Sequence, residues 1–213
     1  MGVARVTPTS QNDSSTGGYL TPSVANLNDD AFNDFMQAVV AGVTGLPGTM
    51  VIPRWQPEPV PLPVDPSTTW AAVGLTEFDQ DPYPAIVHFC DNDVGGPGHS
   101  VLSRNESFLL FCSFYGAQSM EMASQLIDGL SISQNREVLE TAGVKLTAPG
   151  AKRIQVPELI KRTWWRRTDV TLPFRRNVER TYAILNLLSA QATIYTESVS
   201  ESLVATDIEA TPI

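Results

Sequence analysis

From Trp164 onward the chain alternates. The even positions read Trp164, Arg166, Thr168, Val170, Leu172, Phe174, Arg176, Val178, Arg180 and Tyr182, with the aliphatic and aromatic side chains in the middle. The odd positions run from Trp165 through Arg167, Asp169, Thr171, Pro173, Arg175, Asn177 and Glu179 to Thr181, and are polar nearly throughout. A period of two predicts a half-buried antiparallel strand. Extended, residues 164–182 would span roughly 60 Å at about 3.3 Å each. A compact chain of this length is only about 45 Å across. The strand must therefore bend or project, and Pro173, with no N–H for a ladder, marks a bend, a bulge or an edge. A strand so long and so rich in arginine points to contact with something outside its own domain.

Charge sharpens that expectation. Ten of the 14 basic residues (Lys145, Lys152, Arg153, Lys161, Arg162, Arg166, Arg167, Arg175, Arg176 and Arg180) fall within 145–180, opposed only by Glu158, Asp169 and Glu179, a local balance of +7. The whole chain of 213 residues carries −9, so everything else carries −16. One basic ribbon on an acidic remainder suits copies binding head to side through complementary surfaces. A solvated strand face with scattered counter-ions is the plainer alternative, and net acidity disfavours nucleic acid as the main partner. The candidate contact residues are Arg162, Trp165, Arg166, Arg167, Arg175, Arg176 and Arg180. Adjacent strand residues point to opposite faces, so at most one of Trp164 and Trp165 enters the core. The other lies at an edge, under a loop or in an interface.

The chain is long enough for one sizeable core, with 42% apolar and 17% charged residues. Residues 1–26 are rich in Ser, Thr, Gly, Asn and Pro without periodicity and read as an irregular arm. A helix is predicted near 30–42, capped by Asn28 or Asp29, with Phe32, Phe35, Met36, Val39, Val40 and Val43 on one face and Gly42 and Gly45 at its end. Seven prolines within 47–66 predict an extended, polyproline-like strap with few hydrogen bonds. The packed domain starts at Thr68. TWAAVGLTEF and YPAIVHF read as strands joined by a turn at 79–82, and SRNESFLLFCSFYG as a central strand apolar on both faces. Helices follow at 117–130 and 133–142, then VKL as a strand and RIQV pairing into the basic ribbon. Residues 183–195 read as a helical turn and a strand, and 196–213 as an acidic tail. The fold class is α+β (mixed α/β): a sheet of mainly antiparallel strands covered on one face by helices, with extended N- and C-terminal arms. The division is an arm at 1–26, a single domain at 27–195 and a tail at 196–213.

Catalysis finds little support. His88, Cys90, Asp91, Asp93 and His99 gather in HFCDNDVGGPGH, where a calcium loop would need Glu at position 102, but Leu102 stands there. For zinc, His88 and Cys90 fall on opposite strand faces and no second ligand pair follows. A Cys90–His99 nucleophile pair rests on spacing alone, and Gly95–Gly98 lacks the lysine and hydroxyl of a phosphate loop. The reading is no catalytic residue, no metal and no cofactor, with a hydrolase around His88 and His99 as the enzyme alternative. Cys90 and Cys112 read as reduced, buried thiols of a cytoplasmic product. No signal segment is evident, and the apolar runs are too short to cross a membrane.

WAAVGLTEF, AIVHF, FLLFCSFYG followed at once by a helix, LIDGLSISQNREVLETAGV and WWRRTDVTLPFRRNVERTY together resemble the neck or tail terminator proteins of tailed bacteriophages. The resemblance covers residues 70–193 and rests on the order and phrasing of several segments. It implies a small mixed α/β protomer in a hexameric ring, located in the virion neck after assembly in the host cytoplasm. Such a ring caps the head-proximal end of the tail, stops tube growth and offers a surface to the head connector. Implied partners are copies of itself, the head–tail connector and the tail tube or adaptor proteins, with passing contact to genomic DNA in the lumen. No catalytic residue or cofactor comes with it, and the strap and both tails lie outside the matched stretch. A head–tail connector or adaptor subunit of the same neck is the alternative.

Overall fold

A computed structural model describes residues 20–24, 26–55, 62–89, 98–148 and 150–184. The elements are β1 (Ser23–Val24), α1 (Asp29–Thr44), a 3-10 turn (Gly48–Met50), β2 (Val51–Pro53), β3 (Trp70–Gln80), β4 (Ala85–Phe89), β5 (Gly98–Tyr115), α2 (Ser119–Ser131), α3 (Ser133–Thr141), β6 (Val144–Leu146), β7 (Arg153–Ile160) and β8 (Thr163–Ile184). The strands pair in the order β1-β8-β5-β3-β2, with β4 also on β5, and β6 and β7 also on β8. β2 lies parallel to β3, while β3 on β5 and β1, β6 and β7 on β8 are antiparallel. The architecture is α+β, an open sheet with helices.

The chain falls into two compact units, Ala25–Ala85 with Ser103–Glu179, and Met1–Val24 with Ile86–Leu102 and Arg180–Ile213. In the second, β1 pairs with β8 at Ser23–Thr181 and Val24–Arg180, a strand within the stretch the sequence assigned to an irregular arm. His88 Nδ1 lies 2.8 Å from Ser100 Oγ, and the Phe89 and His99 rings stack at 4.9 Å. β4 is exposed along its length.

In the larger unit, period-2 alternation on three strands builds the main core. Val170, Leu172 and Phe174 of β8, Phe108, Leu110, Cys112 and Phe114 of β5, and Ala71 and Val73 of β3 all face one side. Helix α1 lays Phe32, Met36, Val39 and Val40 on that face, α2 adds Ala123, Leu126 and Leu130, and α3 adds Leu139. Met36 and Val40 are fully buried, each burial stabilising by about 1.5–3 kcal/mol. The helix passes Gly42 and ends two residues later, because Gly45 takes the left-handed turn (φ 71°) and returns its N–H to Ala41. Asn28 occupies the N-cap without a side-chain cap bond. No side chain caps α3 either. Its Arg136 donates instead to the C-terminal carbonyls of α2, Leu130 at 2.8 Å and Ser131 at 2.9 Å.

Two further features depart from the sequence reading. Val51–Pro53, inside the expected polyproline strap, is a strand on β3, since Val51 and Ile52 keep their N–H donors and apolar side chains and Pro53 falls at the strand's last position. β3 and β4 do not form a hairpin but both pair with β5. Pro82 and Pro84 remove the N–H groups a tight hairpin between them would use.

Pro173 explains how β8 holds several partners. β7 pairs with Thr163 to Val170 and β6 with Phe174 to Arg176 on the same side. Pro173 falls in the interval between them, where no ladder needs its missing N–H, and its carbonyl accepts from Thr147 at 3.0 Å. The contacts Ser103–Asn177, Glu106–Arg176, Ser113–Asp169 and Gly116–Arg166 descend on one strand as they rise on the other, so β5 and β8 are antiparallel.

The chain leaves β5 for α2 through Gly116, whose φ is 97° and where an added Cβ would sit 2.3 Å from the Thr68 carbonyl oxygen. Gly116→Ala is therefore expected to cost at least about 2 kcal/mol, from a left-handed penalty of about 1–2 kcal/mol plus the backbone overlap. A lowered urea midpoint at unchanged slope checks it; an unchanged midpoint contradicts it.

Candidate assembly interface

The basic ribbon is a hairpin. β7 and β8 pair from Arg153–Val170 down to Ile160–Thr163, leaving Lys161 and Arg162 as a two-residue turn. Both have positive φ, 47° and 68°, the signature of the type I′ turn that matches strand twist. That turn favours Asn-Gly, so a Lys-Arg pair holds it against about 1–3 kcal/mol of strain per residue.

Cross-strand partners share a face, which sorts the hairpin's side chains. Trp165, Arg167 and Asp169 lie with Glu158, Val156 and Ile154 on the face opposite the helices. There Trp165 is buried with Trp70 and Tyr115. Trp70 stacks flat on Tyr115 at 4.1 Å and meets the Trp165 ring edge-on at 6.4 Å. Beside them runs a chain of polar contacts. Arg167 clasps Glu158 Oε2 at 2.7 Å with Nη1 and Asp169 Oδ2 at 2.8 Å with Nη2. Tyr115 donates to the same Glu158 oxygen at 2.9 Å, Ser113 donates to Asp169 at 2.7 Å, and Arg54 donates to Ser113 at 3.0 Å. Arg54 also lies over the Phe111 ring, 4.1 Å from its centroid.

This network fixes protonation states. Burial opposes charge on Glu158, but hydrogen bonds from Arg167 and Tyr115 outweigh it and hold the carboxyl below its ordinary value. Its contribution to stability is thus present above the unfolded glutamate value of about 4.3 and lost as pH falls through the lower folded value. Burial, then the bond to Glu158, pushes the Tyr115 hydroxyl up to about 12. Burial works against the Arg167 cation, yet its bonds to Glu158 and Asp169 raise its affinity for the proton. Burial alone pushes the Cys112 thiol up, against the Arg54 charge.

The seven candidate residues therefore separate. Trp165 is in the protein's own core, and Trp164 is the exposed ring at 67%. Arg167 is engaged as described. Arg176 is buried, with Nε 2.6 Å from Glu106 Oε2, Nη1 2.8 Å from the Leu27 carbonyl oxygen and its guanidinium 4.1 Å from the Phe32 ring centre. Arg175 pairs with Asp81 at 2.7 Å in a half-exposed bridge. Arg180 is half-buried, in the other compact unit. Only Arg162 and Arg166 are exposed without an ion-pair partner among the described residues, as is Lys161 at the turn. With them on the hairpin end stand the cross-strand pair Trp164 and Leu159, 67% and 56% exposed. A cleft lined by Val156, Pro157, Trp164 and Arg166 runs along this end.

Trp164, Leu159 and Lys161 were absent from the sequence-derived set, as were Arg54, Ser113 and Tyr115. The signal for Trp164 was its place at the start of the even register, separated from the apolar middle by Arg166 and Thr168. Of the loop that carries both histidines, Cys90, Asp91 and Asp93 lie outside the described residues. Among the described residues no three His, Cys, Asp or Glu side chains come together, and no helix is long and apolar enough to cross a membrane.

Fold and site together define a small α+β domain with helices on one sheet face and an internally neutralised charge network on the other. The chain belongs to the phage neck terminator proteins, whose family model matches residues 30–198, from the start of α1 past the end of β8. It is a structural protein of the bacteriophage neck. No curated protein matches the chain.

Because Arg167 neutralises two carboxylates largely withdrawn from water, Arg167→Ala is expected to destabilise by about 2 kcal/mol. Arg166→Ala should stay within about 0.5 kcal/mol. Urea unfolding of the two variants decides, and equal midpoints would contradict the sorting of the ribbon's arginines.

Proposed function

We propose that this neck protein forms a ring of identical copies, a hexamer, at the head-proximal end of the tail. The ring ends growth of the tail tube and joins the tail to the head connector. A ring needs a heterologous contact, one surface of a copy meeting a different surface of the next. The observation that carries the reading is the hairpin end: Lys161, Arg162 and Arg166 without ion-pair partners among the described residues, beside exposed Trp164, on a chain whose net charge is −9. Cations set around an exposed tryptophan suit an interface with an acidic protein surface, the aromatic supplying area and the charges selecting the partner. The remaining acidic surface of a second copy meets that description.

The purified protein is expected to run in analytical ultracentrifugation as a species of six chains, near six times 23.2 kDa, and to appear end-on as a closed ring in negative stain. A monomer at every concentration and salt condition tested would contradict the proposal. A ring that binds no tube end but sits between other neck proteins in the reconstructed particle would favour the connector role.

A further inference from the structure

The acidic partner of the hairpin end is identifiable on this same chain. β3 carries a bulge: its register on β5 shifts between Thr76 and Asp79, and Glu77 takes φ 54°. A bulge bends a strand and re-aims its side chains. Here Glu77 and Asp79 are exposed without an ion-pair partner among the described residues. Phe78 between them is 49% exposed while its ring stacks on core Phe108 at 5.8 Å, and Tyr83 nearby is 89% exposed. The cations at this end are engaged: Arg104 donates to Gln80 at 2.9 Å, and Arg175 holds Asp81. The bulge is thus an apolar and acidic surface, the counterpart of the apolar and basic hairpin end.

The two surfaces cannot meet within one chain. Gln80 pairs with Glu106, and Glu106 holds Arg176 of β8. The hairpin turn lies just before Thr163 at the start of that strand. About 13 residues of β8 separate them, roughly 40 Å of continuous strand at about 3.3 Å per residue. Resting on the ring reading above, we infer that the hairpin end of one copy (Lys161, Arg162, Trp164, Arg166) docks on the β3 bulge of the next (Glu77, Phe78, Asp79, Tyr83). Charge complementarity, two exposed aromatic patches and their placement at opposite ends of one sheet commit the occupant to a second copy. Each copy then offers one donor and one acceptor surface, and repetition closes a ring if the rotation allows.

The test is a charge swap between copies. Lys161→Glu with Arg162→Glu reverses the donor, and Glu77→Lys with Asp79→Lys reverses the acceptor. Each variant alone is expected to require at least about tenfold more protein for half-assembly, by sedimentation velocity, because like charges then face each other. A 1:1 mixture is expected to restore rings in which the two variants alternate, since every contact is again between opposite charges. Circular dichroism of each variant guards against misfolding. Folded variants that assemble like the parent, or a mixture that fails to recover while the parent forms rings, would overturn this pairing and leave the ring reading standing. A parent that never self-associates would overturn both.

Discussion

The clasp of Arg167 on Glu158 and Asp169 governs how this protein uses its positive charge. Glu158 belongs to β7, Asp169 to β8, and through Ser113 and Arg54 the same network reaches β5 and the residue after β2. A guanidinium with two carboxylates within 2.8 Å gives strong, directional bonds. Its net contribution to stability is modest because desolvation offsets much of the attraction. Its larger effect is specificity: the pairing register of the hairpin and the depth of Trp165 are fixed together. On the other face, Arg176 does the same between Glu106, Leu27 and Phe32 at the start of α1. Of the ten basic residues between Lys145 and Arg180, Arg167, Arg175 and Arg176 are thereby paired with carboxylates, and the others carry no ion pair among the described residues.

What could be read beforehand followed from periodicity. The 3-and-4 spacing of α1 and the period-2 alternation of β8 are imposed by burial against one surface, and burial leaves its mark on every turn. The short strand VKL and the pairing of RIQV with the ribbon followed from the same logic. β2 was hidden because Pro53 and the prolines on either side of it outweigh the strand signal of Val51 and Ile52. The partnership of β3 and β4 with a common β5 was hidden because adjacency in sequence favours a hairpin, and only the long β5 reveals otherwise. The turn at Lys161-Arg162 carries none of the glycine or asparagine that announces a type I′ turn.

The candidate site was half legible for a related reason. Composition counts charges, but whether an arginine is free depends on which carboxylate the sheet register brings beside it. Asp169 follows Arg167 by two on the same strand face, but Glu158, Glu106 and Asp81 come from other strands or connections, and no local pattern joins them to Arg167, Arg176 and Arg175. The tryptophan pair was similarly undetermined: alternation says that at most one ring goes in, and only the second cluster with Trp70 and Tyr115 says that it is Trp165. Lys161, Arg162 and Arg166 then stand apart because no carboxylate among the described residues pairs with them.

A reconstruction of the assembled neck at side-chain resolution tests the central claim most directly, by asking which of this chain's arginines touch another chain. The account predicts Arg167 and Arg176 held by their own carboxylates, Trp165 enclosed by Trp70 and Tyr115, and Trp164 with Lys161, Arg162 and Arg166 covered by a neighbouring copy. A hairpin end bare to solvent in the finished particle, or Arg167 turned outward onto another subunit, would contradict it.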